Sequence, residues 1–265
     1  MPEQHAEERH AHLLDLLSRQ PFASLEDMQR ATGASTPTIR RDLSALERRG
    51  LVKRVRGGAS LAAASSTLDE AFDLRRRRNA RDKGAIAVAA AAMVKPRSSL
   101  LLNDGSTTLA LAEELASGAQ PLWMATSGLN IGERLASVPS FEVHVIGGSL
   151  RASSFGTSGP LATAAIAQLR VDIAFLGCDG LDLDMGVRFN SLPDAEIASA
   201  MARQGRRVAI LADAAKVGQS AIAGSLAWTD VDVLVTNHLD DAWREHLHDA
   251  GVETIECDPH VVTDR

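Results

Sequence analysis

Residues 33–58 permit very few folds. Ser35 or Thr36 caps a helix, Pro37 falls near its first turn, where a missing N–H costs nothing, and Ile39, Leu43 and Leu46 recur at i, i+4 and i+7. At about 100° per residue these three form one buried stripe. Pro37, Arg41, Ser44 and Arg48 then occupy the opposite face, with Thr38 and Arg40 on its flanks. The helix before it has its own signals. Ser24 is an N-cap with Asp27 three residues on, in an approximate capping box; Leu25, Met28 and Ala31 supply the apolar face and Gly33 the stop. Earlier still, Leu13, Leu14, Leu16 and Leu17 give residues 6–19 a helical stripe that Gln20-Pro21 ends. Two helices joined by a glycine-containing turn, the second basic and capped by hydroxyls, predict a helix-turn-helix whose last helix enters a major groove. Residues 51–58 alternate apolar and basic after Gly50, which predicts a short β-wing over the phosphates. The candidate DNA contacts are therefore Ser35, Thr36, Thr38, Arg40, Arg41, Ser44 and Arg48 on the helix and Lys53, Arg54 and Arg56 on the wing. The alternative is a small helical bundle with a solvated basic face.

The charge distribution favours the nucleic-acid reading. The chain carries a net charge of −6, but residues 1–83 hold 16 basic against 12 acidic side chains and residues 84–265 hold 12 against 22. Between 30 and 58 the ratio sharpens to eight against two, Asp42 and Glu47. A basic segment on an acidic protein is a footprint of nucleic-acid contact. The run from 85 to 94 is the longest uninterrupted apolar stretch, far below the roughly 20 residues that cross a bilayer, so no membrane partner is expected. The first eight residues carry acids where a secretion signal wants basic and then apolar residues, and the expected location is the cytoplasm. Cys178 and Cys257 form no paired motif, and the close histidine pairs, His10 with His12 and His246 with His248, stand i, i+2 and point apart. No disulfide, metal or cofactor is expected, since the glycine-rich fingerprints of dinucleotide and triphosphate sites are also missing. Ser158, in Gly156-Thr157-Ser158-Gly159, reads as a turn residue rather than a nucleophile. Residues 60–67 are alanine and serine with few large apolar residues, as in a linker, and the run 75–78 is four arginines. That run reads as a solvated helix face, with auxiliary phosphate contact as the alternative.

From residue 84 apolar runs alternate with helical ones, which predicts a parallel sheet covered by helices. The expected strands are 99–102, 122–126, 142–146, 173–176, 208–212 and 231–235. Ligands of such sheets bind beyond the carboxyl ends of strands, which here read Asn103-Asp104-Gly105-Ser106-Thr107-Thr108, Thr126-Ser127-Gly128, Gly147-Gly148-Ser149, Gly177-Cys178-Asp179-Gly180, Asp213-Ala214-Ala215-Lys216 and Thr236-Asn237. In the first, a glycine and three hydroxyl residues open a helix directly after a strand. Free N–H groups and the helix dipole make such a turn an anion site, and Lys216 at another strand end offers a point charge for a phosphate.

The gap-free run Ser35-Thr36-Pro37-Thr38-Ile39-Arg40-Arg41-Asp42-Leu43, with Leu46-Glu47-Arg48-Arg49-Gly50-Leu51 and Arg54-Val55-Arg56-Gly57-Gly58-Ala59, resembles the winged helix of the DeoR family of bacterial transcription regulators. Glu70, Phe72, Arg75, Asn79 and Lys83 keep the spacing with which such proteins enter their second domain. Residues 84–265 resemble the family's sensor domain, with Phe175-Leu176-Gly177, Asp179-Gly180, Gly147-Gly148, Glu196, and Asp213 with Lys216 where its pattern expects them. The resemblance implies an α/β chain, a winged helix-turn-helix followed by a Rossmann-like parallel-sheet domain related to ribose phosphate isomerase. Residues 1–58 would bind DNA, 59–75 link, and 76–265 sense. The implied function is not enzymatic: a regulator, of repressor type, of a sugar or polyol operon, acting on double-stranded operator DNA as a homo-oligomer, dimer or tetramer. A phosphorylated sugar or polyol would occupy Asn103, Gly105, Ser106, Thr107, Thr108, Thr126, Ser127, Gly147, Gly148, Asp179, Glu196, Asp213 and Lys216. The chain departs from the family pattern at this site, with Asn103 for Asp, Ser106 for Thr, Ser127 for Asn, Ala215 for Ser and Asn237 for Asp. Those changes keep the phosphate end and alter the sugar end. Two other classes stay open here: an isomerase-like enzyme with an appended helix-turn-helix, using Asp179, Glu196, Asp213 or Lys216 as acid and base, and a structural nucleoid protein.

Overall fold

The computed structural model describes residues 9–10, 12–14, 16–17, 22–48, 51–55, 57–61, 72–118 and 120–259. The chain divides into two units, the first ending at Leu74 and the second starting at Arg75.

In the first unit, the described residues between 9 and 17 are helical. Strand β1 (Ala23–Ser24) leads into helix α1 (Leu25–Thr32), and helix α2 (Thr36–Arg48) follows. The capping box forms as the spacing requires: Asp27 N donates to Ser24 Oγ at 3.1 Å and Ser24 N to Asp27 Oδ2 at 3.0 Å. Gly33 ends α1 at φ 67°, a left-handed conformation that favours glycine. Ile39, Leu43 and Leu46 are buried with Leu13, Leu14, Leu17, Met28 and Val52, each large side chain contributing about 1.5–3 kcal/mol. The wing is a hairpin of β2 (Val52–Val55) and β3 (Gly58–Leu61), and β3 also pairs with β1. Any Cβ on Gly58 would meet Ala23 O at 2.1 Å, so only glycine lets β1 approach. The wing thus continues three residues past the boundary expected at Gly58, because β3 is the strand that holds β1 and β2 together. Residues 62–71, most of the expected linker, lie outside the described residues. Asp42, one of the two acids in the basic segment, is held inside the unit. It is buried, taking Arg9 Nε at 2.5 Å and Nη2 at 3.1 Å, with His10 Nε2 3.2 Å away.

In the second unit a seven-stranded sheet runs β15-β14-β12-β9-β4-β5-β6, parallel throughout. Its strands are β4 (Ser99–Leu102), β5 (Leu122–Thr126), β6 (Phe141–Val145), β9 (Val171–Gly177), β12 (Gly205–Leu211), β14 (Val233–Thr236) and β15 (Glu253–Glu256). All six expected strands form, within about three residues at either end. The edge strand β15 is additional, its charged Glu253 and Glu256 masking the period-2 signal. Central strands read as continuous apolar runs because both faces are covered. Leu101, Ala174, Leu176, Ile210 and Leu234 pack with α7 (Pro160–Ile166), α8 (Leu192–Ala202) and α9 (Asp241–Asp249). On the other face lie α4 (Ala80–Ala91), α5 (Ser106–Ser117) and α6 (Leu129–Ala136), the helix α3 (Phe72–Arg77) preceding them in sequence. Two small antiparallel units escaped the periodicity, being three or four residues per strand. They are the hairpin β7 (Ser149–Arg151) and β8 (Gly156–Ser158), and the sheet of β10 (Gly180–Asp182), β11 (Gly186–Phe189) and β13 (Ala223–Leu226). No helix among the described residues is long and apolar enough to cross a membrane.

Strand order reverses between β9 and β4: β4, β5 and β6 step one way and β9, β12 and β14 the other. This is the topological switch point, where ligands of open α/β sheets bind.

Candidate functional site

Helix α2 turns an open basic concavity to solvent, lined by Thr36, Pro37, Arg40, Arg41, Ser44, Arg48 and Arg54. Unlike α1, whose first turn carries Glu26 and Asp27, α2 has no acid in its first turn. Its N-terminal dipole is therefore uncompensated and suits a phosphate or base edge. Ser35 Oγ and Thr38 Oγ1 lie 2.9 Å apart at that end. The wing is locked onto the helix: Arg54 N donates to Glu47 Oε1 at 3.1 Å and Arg54 Nη1 to Ser44 Oγ at 2.9 Å, while Ser44 Oγ donates to Arg40 O at 2.8 Å. Ser44 and Arg54 are thus oriented by each other. Arg40, Arg41, Arg48 and Lys53 stay exposed. Arg56 lies outside the described residues.

In the second unit, parallel strands bring the expected turns to one edge of the sheet. Gly105 to Thr108 open α5 beside the switch point, and the first backbone N–H bonded into that helix is Leu109 to Gly105 O, 3.0 Å. The N–H groups of Ser106, Thr107 and Thr108 precede it and face the edge. Thr108 Oγ1 donates to Gly105 O at 3.1 Å. Several other candidates are committed to holding the turns. Asn103 bridges the switch point, Nδ2 donating to Gly177 O at 3.0 Å and Oδ1 accepting from Gly177 N at 2.8 Å. An aspartate in its place could make only the second bond. Ser127 Oγ accepts from Asp104 N at 3.1 Å and Thr126 Oγ1 from Gly128 N at 3.0 Å. Asp179 Oδ2 accepts from Asn190 N at 2.8 Å. Asp213 Oδ1 takes Ala215 N and Asn79 Nδ2, both at 3.1 Å. Gly147 and Gly148 are exposed after β6, and a Cβ on Gly148 would meet Ser158 O at 2.5 Å. Glu196 is exposed in the second turn of α8.

Lys216 is half-buried at the end of the 3-10 turn Ala214–Lys216, after β12. Since β12 and β4 flank β9, its turn and the Gly105 turn lie about two strand spacings, ~10 Å, apart, a span that a lysine and a phosphate group can share. Burial pushes the Cys178 thiol up to about 12 although Lys216 opposes the shift, so the thiol is inert at neutral pH.

Sequence reasoning missed Asp104, although it stands inside the anion turn. Its carboxyl is packed so closely under β8 that a Cβ on Gly156 would lie 2.3 Å from Oδ2. Burial raises its pKa above the ordinary carboxylate value, while a Ser154 hydrogen bond and the charges of Arg151 and Arg75 pull it down. Arg151 also pairs with Asp194. A lone acid in a glycine-hydroxyl turn was the available signal.

The Asn103 clamp carries a stability prediction. Asn103→Ala strands the buried N–H and C=O of Gly177, at about 1–3 kcal/mol each before relaxation, and should cost the second unit about 2–3 kcal/mol in urea denaturation. A loss below about 0.5 kcal/mol, the range of an ordinary surface substitution, would show that the clamp contributes little.

The family model described as DeoR C terminal sensor domain matches residues 78–238, and that described as DeoR-like helix-turn-helix domain matches residues 9–64. The HTH-type transcriptional regulator GolR of Listeria innocua is 32% identical over 246 residues, 92% of this chain and 96% of that one. The glycerol-3-phosphate regulon repressor of Escherichia coli K12 is 28% identical, covering 87% of this chain and 90% of its own. Among solved structures, ribose 5-phosphate isomerase A from Methanocaldococcus jannaschii aligns at 15% identity and a TM-score of 0.39, over 51% of this chain and 53% of that one.

Proposed function

Because this chain belongs to the DeoR family of transcriptional regulators, we propose that it represses a sugar or polyol operon and that a phosphorylated metabolite, bound at the carboxyl edge of the second unit's sheet, controls its grip on operator DNA. The chain is a regulator and not an enzyme: its relatives over nearly the full length are regulators, so the isomerase alternative is dropped. The observation that carries the DNA-binding half is the basic concavity formed jointly by α2 and Arg54. Arg40 and Arg41 read base edges there, and Lys53, Arg54 and Arg56 lie along phosphates. Residues 1–58, extended by the rest of β3 to residue 61, are the DNA-binding domain, residues 62–75 connect, and 76–265 sense. Two-fold operators match a homo-oligomer, dimer or tetramer, working in the cytoplasm.

In the sensor, the phosphate sits on the N–H groups of Ser106, Thr107 and Thr108 with Lys216 as counter-charge. Asp179, Asp213 and Glu196, with the turns at Thr126-Ser127 and Gly147-Gly148, border the sugar end, and Asn103 fixes the floor. The test has two arms. Selection from random duplexes should yield a symmetric site, and thermal shift with phosphorylated sugars and polyols should show a stabilising ligand, which adds about 2.7 kcal/mol at a hundredfold excess over Kd. Duplexes retained without any common sequence, together with no stabilising phosphorylated compound, would overturn the reading.

A further inference from the structure

The chain that enters the second unit is fastened to the same sheet edge at several points. Arg75, the first residue of that unit, donates from Nη2 to Ser153 O at 3.4 Å. The buried Lys83 donates from Nζ to Arg75 O and, at 2.6 Å, to Arg78 O, which ties off the four-arginine run. Asn79 stands at φ 52°, a left-handed conformation that asparagine tolerates better than most residues. It makes no side-chain cap to α4 and instead spends its amide on Asp213, at the end of β12.

Arg75 reaches the turn between β7 and β8 that covers the anion site. Ser153, its acceptor, adjoins Ser154, the hydrogen-bond partner of Asp104, and Gly156 roofs the Asp104 carboxyl. Asp104 in turn directly precedes Gly105 and the open N–H groups of α5. A phosphate there would be a second anion beside a carboxylate that already leans on Arg75 and Arg151. It carries more charge than the carboxylate and accepts a guanidinium fork in two parallel bonds. Of the two, Arg75 belongs to the segment that enters the unit, so its displacement is the one that residues 75–83 feel.

We propose that Arg75 is the residue through which effector occupancy is felt outside the sensor site: the phosphate draws Arg75 away from Ser153 O and Asp104, and the anchoring of residues 75–83 loosens. The inference rests on the effector site proposed above and adds its regulation. Because a ligand shifts an equilibrium only through different affinity for its two states, the phosphate must bind better when Arg75 has moved.

Hydrogen exchange on the full chain tests this, with inorganic phosphate and glycerol 3-phosphate as probes against chloride at equal ionic strength. Either probe, at up to about 50 mM, should slow exchange at residues 106–108 and speed it at 75–83 by about threefold or more with a shared midpoint. In Arg75→Gln the response at 75–83 should vanish while that at 106–108 persists with a higher midpoint, and Arg75→Lys, which keeps the charge and loses the fork, should fall between. Slowing at 106–108 with no change at 75–83, or a wild-type response in Arg75→Gln, overturns the coupling and leaves the site standing. If neither probe slows 106–108, the site reading fails and the coupling with it.

Discussion

Replacing Arg41 with alanine is expected to weaken operator binding about 5- to 150-fold and to relax sequence preference, the loss of about 1–3 kcal/mol typical of a guanidinium on a base edge. Arg41 lies on the exposed face of α2, opposite the Ile39, Leu43 and Leu46 stripe, so the substitution leaves the unit's core untouched. Lys53→Ala is the contrast. Exposed on β2, Lys53 should contact phosphate alone, and its loss should weaken all sequences alike while lowering the salt slope by about one unit. The pair separates base reading from charge. Titrations of selected and scrambled duplexes at several salt concentrations measure both effects, and indifference to both substitutions would remove α2 and the wing from the interface.

Lys216→Ala is expected to weaken the phosphorylated effector about tenfold or more, since a hydrogen bond to a charged group contributes about 1.5–3 kcal/mol. Residues 84–265 hold 22 acidic against 12 basic side chains, so the general field of this region repels an anion and local donors must outweigh it. Operator affinity without effector should stay near wild type. Calorimetric titration with the best thermal-shift hit checks the first point and duplex titration the second. Equal effector binding by both proteins would move the phosphate elsewhere on the edge.

The two halves of the chain were legible to different depths. Ile39, Leu43 and Leu46 could be assigned to a core, and Ser24 with Asp27 to a cap, because helix periodicity and capping are local. The clamp on Asp42 had no such signal, because its partners Arg9 and His10 are more than thirty residues away and sequence spacing carries no sign of it. The same distinction runs through the sensor. Buried strands such as Val171–Gly177 announce themselves as apolar runs, whereas the β7–β8 hairpin is too short for any period to register. Its placement over Asp104 depends on Gly156 alone lacking a Cβ. Residue type identified the turns at the strand ends, but not how their side chains divide the work. Asn103, Ser127 and Asp213 look like ligand groups in sequence and serve first as struts, while Asp104, which the residue pattern did not single out, directly precedes Gly105 and the open N–H groups of α5.

In the proposed regulator one chain couples a phosphorylated metabolite to operator DNA. Titrating full-length protein onto its selected duplex, with and without a saturating concentration of the metabolite that most raises its thermal stability, tests that directly. Operator affinity should change by about 5- to 150-fold, the usual range of an allosteric coupling of about 1–3 kcal/mol, and by linkage metabolite affinity should change equally when DNA is bound. A metabolite that binds the protein and leaves operator affinity unchanged would contradict it.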